Sequence, residues 1–155
     1  MRIRRASEPD AEHIADALRC AFAEYERLYT RAGYAATTPD ASTLRARWDE
    51  GPVWVADDAG GIVATVSAAP RETGIYVRSM AVRPEARGRG AGRALMRQLE
   101  LYAVSEKAPR LYLSSTPFLH DAIRLYEALG FRRTGEPPHE LGGTPLVTFE
   151  KRLRR

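Results

Sequence analysis

Residues 75–99 read IYVRSMAVRPEARGRGAGRALMRQL, and the rest of the fold follows from how they are read. The first eight alternate. Ile75, Val77, Ser79 and Ala81 are expected on one face and Tyr76, Arg78, Met80 and Val82 on the other, the two-residue period of a strand. Beyond Pro84, three glycines (Gly88, Gly90, Gly92) alternate with Arg89 and Ala91. Ala91, Ala94, Leu95, Leu99 and Tyr102 then recur at helical spacing. A strand that turns through glycines into an amphipathic helix is a junction suited to anions. Glycine tolerates positive φ and lets a ligand approach the main chain. The first-turn N–H groups have no helical acceptor, and the helix dipole adds positive potential. Arg87, Arg89 and Arg93 offer charged donors beside them. Two nucleotide readings fail on the residues. A P-loop needs a lysine after its last glycine and there is none, and a dinucleotide fingerprint begun at Gly88 needs glycine where Arg93 stands.

On the N-terminal side, Ser7-Glu8-Pro9-Asp10 opens a helix whose stripe is Ile14, Ala17, Leu18, Ala21, Phe22, Tyr25 and Leu28. Gly33 breaks the chain. A second short helix is expected from Pro39 to Trp48, stopped by Gly51-Pro52. Val53–Ala56 and Ile62–Ala68 flank the turn Asp57–Gly61 as a hairpin. On the C-terminal side, Arg110–Thr116 reads as a strand. Leu119, Ala122, Ile123, Tyr126 and Leu129 form an amphipathic helix closed by Gly130. Phe131–Thr134 and Leu146–Leu153 are the last strands, with a Pro/Gly-rich loop, Gly135–Pro145, between them. The order predicts one α/β (α+β) domain over residues 1–155, built on a mixed sheet.

The 155 residues carry 24 Lys and Arg against 20 Asp and Glu, a net charge of +4 that suits an anionic ligand and equally a solvated surface. Cys20 is the only cysteine, which excludes an intrachain disulfide and a cysteine-rich zinc site. His13, His120 and His139 have no metal-ligand spacing, so no metal is expected. No apolar run is long enough for a membrane span, and MRIRRASEPD lacks the apolar core of a secretory signal, so a cytoplasmic protein without a membrane partner is expected. The terminal run Lys151-Arg152-Leu153-Arg154-Arg155 reads as a fraying strand. It has none of the interleaved aromatics of single-strand binders, and no nucleic-acid partner is expected.

The junction resembles the acetyl-CoA motif of the GNAT-type N-acetyltransferases, Arg/Gln-x-x-Gly-x-Gly/Ala, matched by Arg87, Gly90 and Gly92. A second match lies downstream, where Ala122, Tyr126, Gly130 and Phe131 fit that family's Ala-x-x-x-Tyr-x-x-x-Gly-Phe helix. The resemblance is strongest over residues 53–155. It implies a mostly antiparallel sheet splayed between two central parallel strands, Ile75–Val82 and Arg110–Thr116, flanked by about four helices. It further implies acetyl-CoA as cosubstrate. Its pantetheine arm would lie along the backbone of Met80, Ala81 and Val82, and its pyrophosphate on the N–H groups of Arg87, Gly88, Arg89, Gly90, Ala91, Gly92 and Arg93. Tyr126 would be the general acid that protonates the departing sulfur. A neutral amine would attack the thioester directly, with the Val82 N–H meeting the developing oxyanion.

Two positions depart from the family pattern. Leu119 stands where many members have asparagine, which leaves Ser114, Ser115 or Thr116 to contact the arm, and Tyr76 stands where many have a basic glutamate. The base is therefore open among Glu24, Glu26, Glu72, His120, His139 and water. The acceptor, a small-molecule or peptide amine, is expected between the first helix, the loop after it and the late loop. Tyr25, Tyr29 and Tyr34, with Trp48 nearby, would wall it, and Glu24, Glu26 or Asp40 would meet its amine. The missing glutamate also motivates a second reading, a non-catalytic acyl-CoA-binding module. Exposed sheet edges are compatible with a homodimer.

Overall fold

The strand read from Ile75–Val82 sits mid-sheet in the computed structural model, which describes residues 1–153; Arg154 and Arg155 of the basic terminal run lie outside them. In chain order the strands are β1 (Arg2–Arg5), β2 (Val53–Asp58), β3 (Gly61–Arg71), β4 (Gly74–Val82), β5 (Arg110–Ser115), β6 (Arg132–Arg133), β7 (His139–Leu141) and β8 (Thr144–Arg152). The helices are α1 (Ala11–Phe22), α2 (Arg31–Thr37), α3 (Ala41–Ala46), α4 (Ala91–Ser105) and α5 (His120–Ala128). The sheet order is β1-β2-β3-β4-β5-β8-β6, with β7 pairing β8. Every pair is antiparallel except β4 and β5, which are parallel and joined only at Ile75–Leu111 and Tyr76–Tyr112. Beyond Tyr76 the two strands diverge, and the expected splay is present.

Two apolar layers hold the helices to the sheet. On one face Leu95 and Leu99 of α4, both fully buried, pack with Trp54, Val66, Ile75, Val77, Leu111, Leu113 and Phe149. On the other, Ile14 and Leu18 of α1 and Leu44 of α3 pack with Val53, Val55 and Ala81. Burial of each such Leu or Ile contributes roughly 1.5–3 kcal/mol. The alternation Val53/Trp54/Val55/Ala56 divides between the layers as a strand's period of two requires.

In β4 the simple alternation breaks. Ala81 pairs with Thr65 and Arg78 with Ser67, so Ser79 and Met80 together oppose Val66, a β-bulge, and Ser79 has φ +56°. Past the bulge the faces exchange. Met80 and Val82 pack on the α4 side with Ile75 and Val77, while Ala81 packs on the α1 side. The expected grouping of Ile75, Val77 and Ala81 on one face is corrected here, because the sequence alternation runs unbroken through a bulge that only the pairing with β3 reveals.

Further corrections lie in the connections. The first helix ends at Phe22 and continues as a 3-10 turn, Ala23–Leu28. Gly33, read as a break, lies buried inside α2. The Thr30 hydroxyl caps this helix by accepting from the Gly33 N–H at 3.0 Å, and a Cβ on Gly33 would stand 2.2 Å from Thr144 Oγ1. The glycine permits close approach rather than a turn. The second short helix is α3, capped by Asp40, which accepts from the Thr43 N–H at 2.8 Å. The late loop contains β7, turned back into β8 through Gly142 (φ +55°) and Gly143 (φ +89°). Thr30 ties α2 to that hairpin. Its N–H donates to Thr144 Oγ1 at 2.9 Å and its hydroxyl to the Gly142 carbonyl at 2.7 Å.

Arg4 of β1 fastens the N-terminal strand to the start of α1. Its guanidinium donates to both oxygens of Asp10 at 2.8 and 2.9 Å and to Asp57 at 2.5 Å. The Arg4 hydrogen bond holds the Asp10 carboxyl down at about 2, from an ordinary 3.8. A carboxyl depressed in the folded state adds stability above its unfolded value that is lost as pH falls toward the folded one. We expect the unfolding free energy to drop between about pH 4 and 2, and Asp10→Asn to cost roughly 1 kcal/mol at pH 7 and to flatten that acid limb, after allowing for solvent screening of a partly exposed pair. Urea titrations of both proteins at pH 7 and 3 check this. An equal loss at both pH values would remove Asp10 from the acid response.

Candidate active site

The divergence of β4 and β5 opens a cleft of about 830 Å³. Its floor is the unpaired edge of β4. The Arg83 N–H donates back to the Val63 carbonyl of β3 at 2.8 Å. By the alternation of a ladder, Ala81 faces β3 as well, and the backbone groups of Val82 and Met80 turn toward the cleft. The side chains of Met80, Ala81 and Val82 all line it.

At one end the chain turns into α4. Gly88 (φ +79°) and Gly90 (φ +83°, the N-cap of α4) are left-handed, a conformation that excludes most side chains. The N–H groups of Gly88, Arg89 and Gly90 have no backbone acceptor among the described residues. Those of Ala91, Gly92 and Arg93 are the orphan donors of the helix's first turn. Gly92 differs, since a Cβ there would lie 2.9 Å from Met80 Cε and 3.0 Å from Leu125 Cδ2, and those two side-chain tips would have to move to admit it.

The loop is held by its arginines. Arg83 pairs with Asp16 of α1 at 2.7 Å and donates to the Ile62 carbonyl at 2.9 Å. Arg87 pairs with Glu24 at 2.5 Å and donates to the Ala21 carbonyl at 3.0 Å, and Arg89 pairs with Asp58 at 2.9 Å. The guanidiniums of Arg87 and Arg89 thus have protein partners, while Arg93 lines the cleft without an ion pair among the described residues. A pyrophosphate fits this arrangement through main-chain donors first.

Tyr126, from α5, is 7% exposed and lies against Phe131 with ring centroids 5.8 Å apart. Burial pushes its phenol well above the ordinary tyrosine value, and the nearby Tyr29 and Tyr76 phenols push the same way. It is a neutral proton donor at the wall of the cleft. Burial also raises Tyr29. The Thr116 hydroxyl opposes that shift from nearby, yet stands outside hydrogen-bond geometry, and its Oγ1 is buried without a partner. Ser114, Ser115, Thr116 and Leu119 line the same wall.

Of the expected acceptor walls, Tyr25 and Tyr29 line the cleft, as do Leu141 and Leu146 from the β7–β8 hairpin. Tyr34 stacks behind Tyr29 at 5.9 Å, and Trp48 packs in the α1 layer. None of Glu24, Glu26, Glu72, Asp40, His120 or His139 lines it. Glu24 is held by Arg87 and Asp40 by its cap, whereas His139 Nε2 lies 3.3 Å from Ser114 Oγ, one side chain away. The reading from sequence did not foresee Arg47, Arg71 and Arg78, which line the end of the cleft opposite the glycine loop together with Tyr76.

The model of the acetyltransferase (GNAT) family matches residues 16–131. The chain belongs to the GNAT family. The Escherichia coli K12 protein described as uncharacterized N-acetyltransferase YjgM is 31% identical over 159 residues, covering 99% of this chain and 93% of that one. A ribosomal-protein-alanine N-acetyltransferase of Brucella melitensis superposes with a TM-score of 0.76 at 27% identity, covering 99% of this chain and all of the other. A GNAT-like fold is also shared with the PaiA N-acetyltransferase of Thermoplasma acidophilum in complex with coenzyme A (TM-score 0.81, 14% identity, 98% of each chain). Against the mouse N-acetyltransferase family 8 member 5 (described as probable), the zebrafish N-acetylaspartate synthetase and the human N-acetyltransferase 8B, the chain spans about half or less of the relative's length, 53%, 30% and 39%. Among the described residues of this GNAT protein no cluster of His, Cys, Asp and Glu is arranged to hold a metal, and no helix is long and apolar enough to cross a membrane.

Proposed function

We propose that the protein moves an acetyl group from acetyl-CoA to a primary amine by direct attack in a ternary complex. The observation that carries this reading is the run of unpaired N–H groups from Gly88 to Arg93, opening onto a cleft shared by the free edge of β4 and Tyr126. Acetyl-CoA supplies the acetyl group already activated as a thioester. The main chain of Gly88 to Arg93 receives the pyrophosphate, the Arg87 N–H being taken by the Pro84 carbonyl at 3.3 Å, and the backbone of Met80 and Val82 receives the arm as an added strand would be received. The Val82 N–H, turned to the cleft, stabilises the charge that builds on the carbonyl oxygen. Tyr126 keeps its proton until the sulfur departs. The proton of the amine leaves through Ser114 to His139 or through water, a route supported by the 3.3 Å contact of those two side chains; among the described residues the cleft wall carries no glutamate, and its one carboxylate is Asp121.

Calorimetric titration with acetyl-CoA, dephospho-CoA and free CoA tests the first half of the reading. Saturable micromolar binding of acetyl-CoA is expected, and no binding at millimolar concentration would withdraw it. A panel of amines assayed for thiol release tests the second half. Binding with no release to any amine would leave the acyl-CoA-binding module.

A further inference from the structure

Three guanidiniums converge on the end of the cleft away from the glycine loop. Arg47 ends α3, Arg71 ends β3 and Arg78 lies mid-β4, all three lining the cleft. One carboxylate, Glu50, answers them. It pairs with Arg78 at 2.5 Å and feels the charge of all three, so the group keeps an excess of positive charge. Arg47 is half-buried and has no ion pair among the described residues. The one hydrogen bond of its guanidinium among the described residues is a weak 3.4 Å donation to Ser79 Oγ. Burial first, then the charge of Arg78, disfavours its protonated form. Arg78 is also incompletely used, its Nε being buried with no acceptor. Arg71, exposed at the end of β3, lies over the Tyr76 ring, 4.4 Å from its centroid.

A half-buried cation without a counter-ion is costly to hold, because desolvation is not repaid by a partner. Planar guanidiniums with free donors are matched by a carboxylate, which two-pronged hydrogen bonding satisfies. The Ser79 contact sets the position: Arg47 reaches the β4 bulge, where the strand edge turns to the cleft, on the side away from the pyrophosphate donors. The aromatic walls, Phe22, Tyr25, Tyr29 and Tyr76, carry no charge that would repel an anion.

We propose that Arg47, with Arg78 and Arg71, forms a carboxylate subsite for the acceptor, which is therefore an amine that also carries a carboxylate, such as an amino acid or a short amino acid derivative. This rests on the acetyl-transfer reading and narrows its acceptor. The excess positive charge at this end excludes polyamines and other purely cationic amines as preferred acceptors by the same argument.

Matched acceptors test it. Amino acids and ω-amino acids are assayed beside their neutral carboxamides, with CoA release as the readout. The carboxylate form is expected to have at least a tenfold higher kcat/KM, and Arg47→Gln to collapse that ratio toward one, chiefly through KM of the acceptor. Arg47→Lys keeps the charge and is expected to keep part of the ratio. Binding is read separately by titrating succinate and succinamide into the protein saturated with acetyl-CoA. Succinate is expected to bind at least tenfold more tightly, and Arg47→Gln to abolish the difference. Equal kcat/KM for the two acceptor forms, equal affinity for the two probes, or a preference that survives Arg47→Gln would each overturn the subsite. A wild-type protein that does not bind acetyl-CoA defeats the transfer reading instead, and a rise in the acetyl-CoA Kd in Arg47→Gln would reassign the cluster to the cosubstrate.

Discussion

Replacing Gly90 by valine is expected to weaken acetyl-CoA binding by about a hundredfold to a thousandfold while leaving the fold in place. Gly90 is the N-cap of α4 at φ +83°, where a β-branched residue costs roughly 1–3 kcal/mol. Relief of that strain rotates the peptide units that aim the first free N–H groups. Loss of one hydrogen bond to a charged phosphate removes about 1.5–3 kcal/mol more. Together these come to roughly 2.5–6 kcal/mol, a range that contains the about 2.7–4.1 kcal/mol of a hundredfold to thousandfold loss. The fold survives because a Cβ at Gly90 meets nothing within 4 Å. Calorimetry gives the Kd, and a thermal melt with near-UV circular dichroism reports the fold. A valine variant that binds with wild-type affinity would move the cosubstrate's anion off this loop.

Tyr126→Phe is expected to lower kcat by about a hundredfold to a thousandfold, with KM for acetyl-CoA changed less than about twofold, the signature of a lost proton donor. The phenyl ring keeps the packing against Phe131, so a fall in kcat is not a packing defect. The pH dependence has a fixed sign. Burial raises the phenol above its ordinary 10.0, so Tyr126 remains protonated throughout the neutral and mildly alkaline range. Any alkaline loss of kcat due to this residue therefore falls above pH 10. By linkage, the stability that its neutral form contributes is present below that value and is lost above it. Steady-state kinetics from pH 6 to 10 decide the matter. A phenylalanine variant within threefold of wild type would dismiss Tyr126 as the acid.

Where the signal was local, it could be read from the chain. The glycines of residues 88–92 announce a helix N-terminus because positive φ and orphan donors are properties of a few consecutive residues. The apolar stripe of its helix marks Tyr126 only as inward-facing; its expected place in the site comes from the resemblance to the family's second motif. What the sequence hid was set by pairing between distant segments. The bulge at Ser79 exists only relative to Val66. Gly33 resembles a break until Thr144, more than a hundred residues later, is packed against it. Arg47, Arg71 and Arg78 come from three elements, and no spacing along the chain marks them as one cluster. The loop arginines show the opposite limit. The sequence pattern offers them as donors to an anion, whereas in the fold Arg87 and Arg89 hold carboxylates of the protein.

The two-residue seam between β4 and β5 divides the sheet mechanically. One plate is β1 to β4, braced by α1 and α4. The other is β5, β8 and β6, and across most of their length the plates share side-chain packing but no ladder. A molecule seated between them in the manner of a missing strand ties the plates together. At a hundredfold excess over its Kd, such a tie adds about 2.7 kcal/mol to the folded state. The opening that would admit a substrate is thus also a line along which the two plates share few ladder bonds, and loading the cleft would span it.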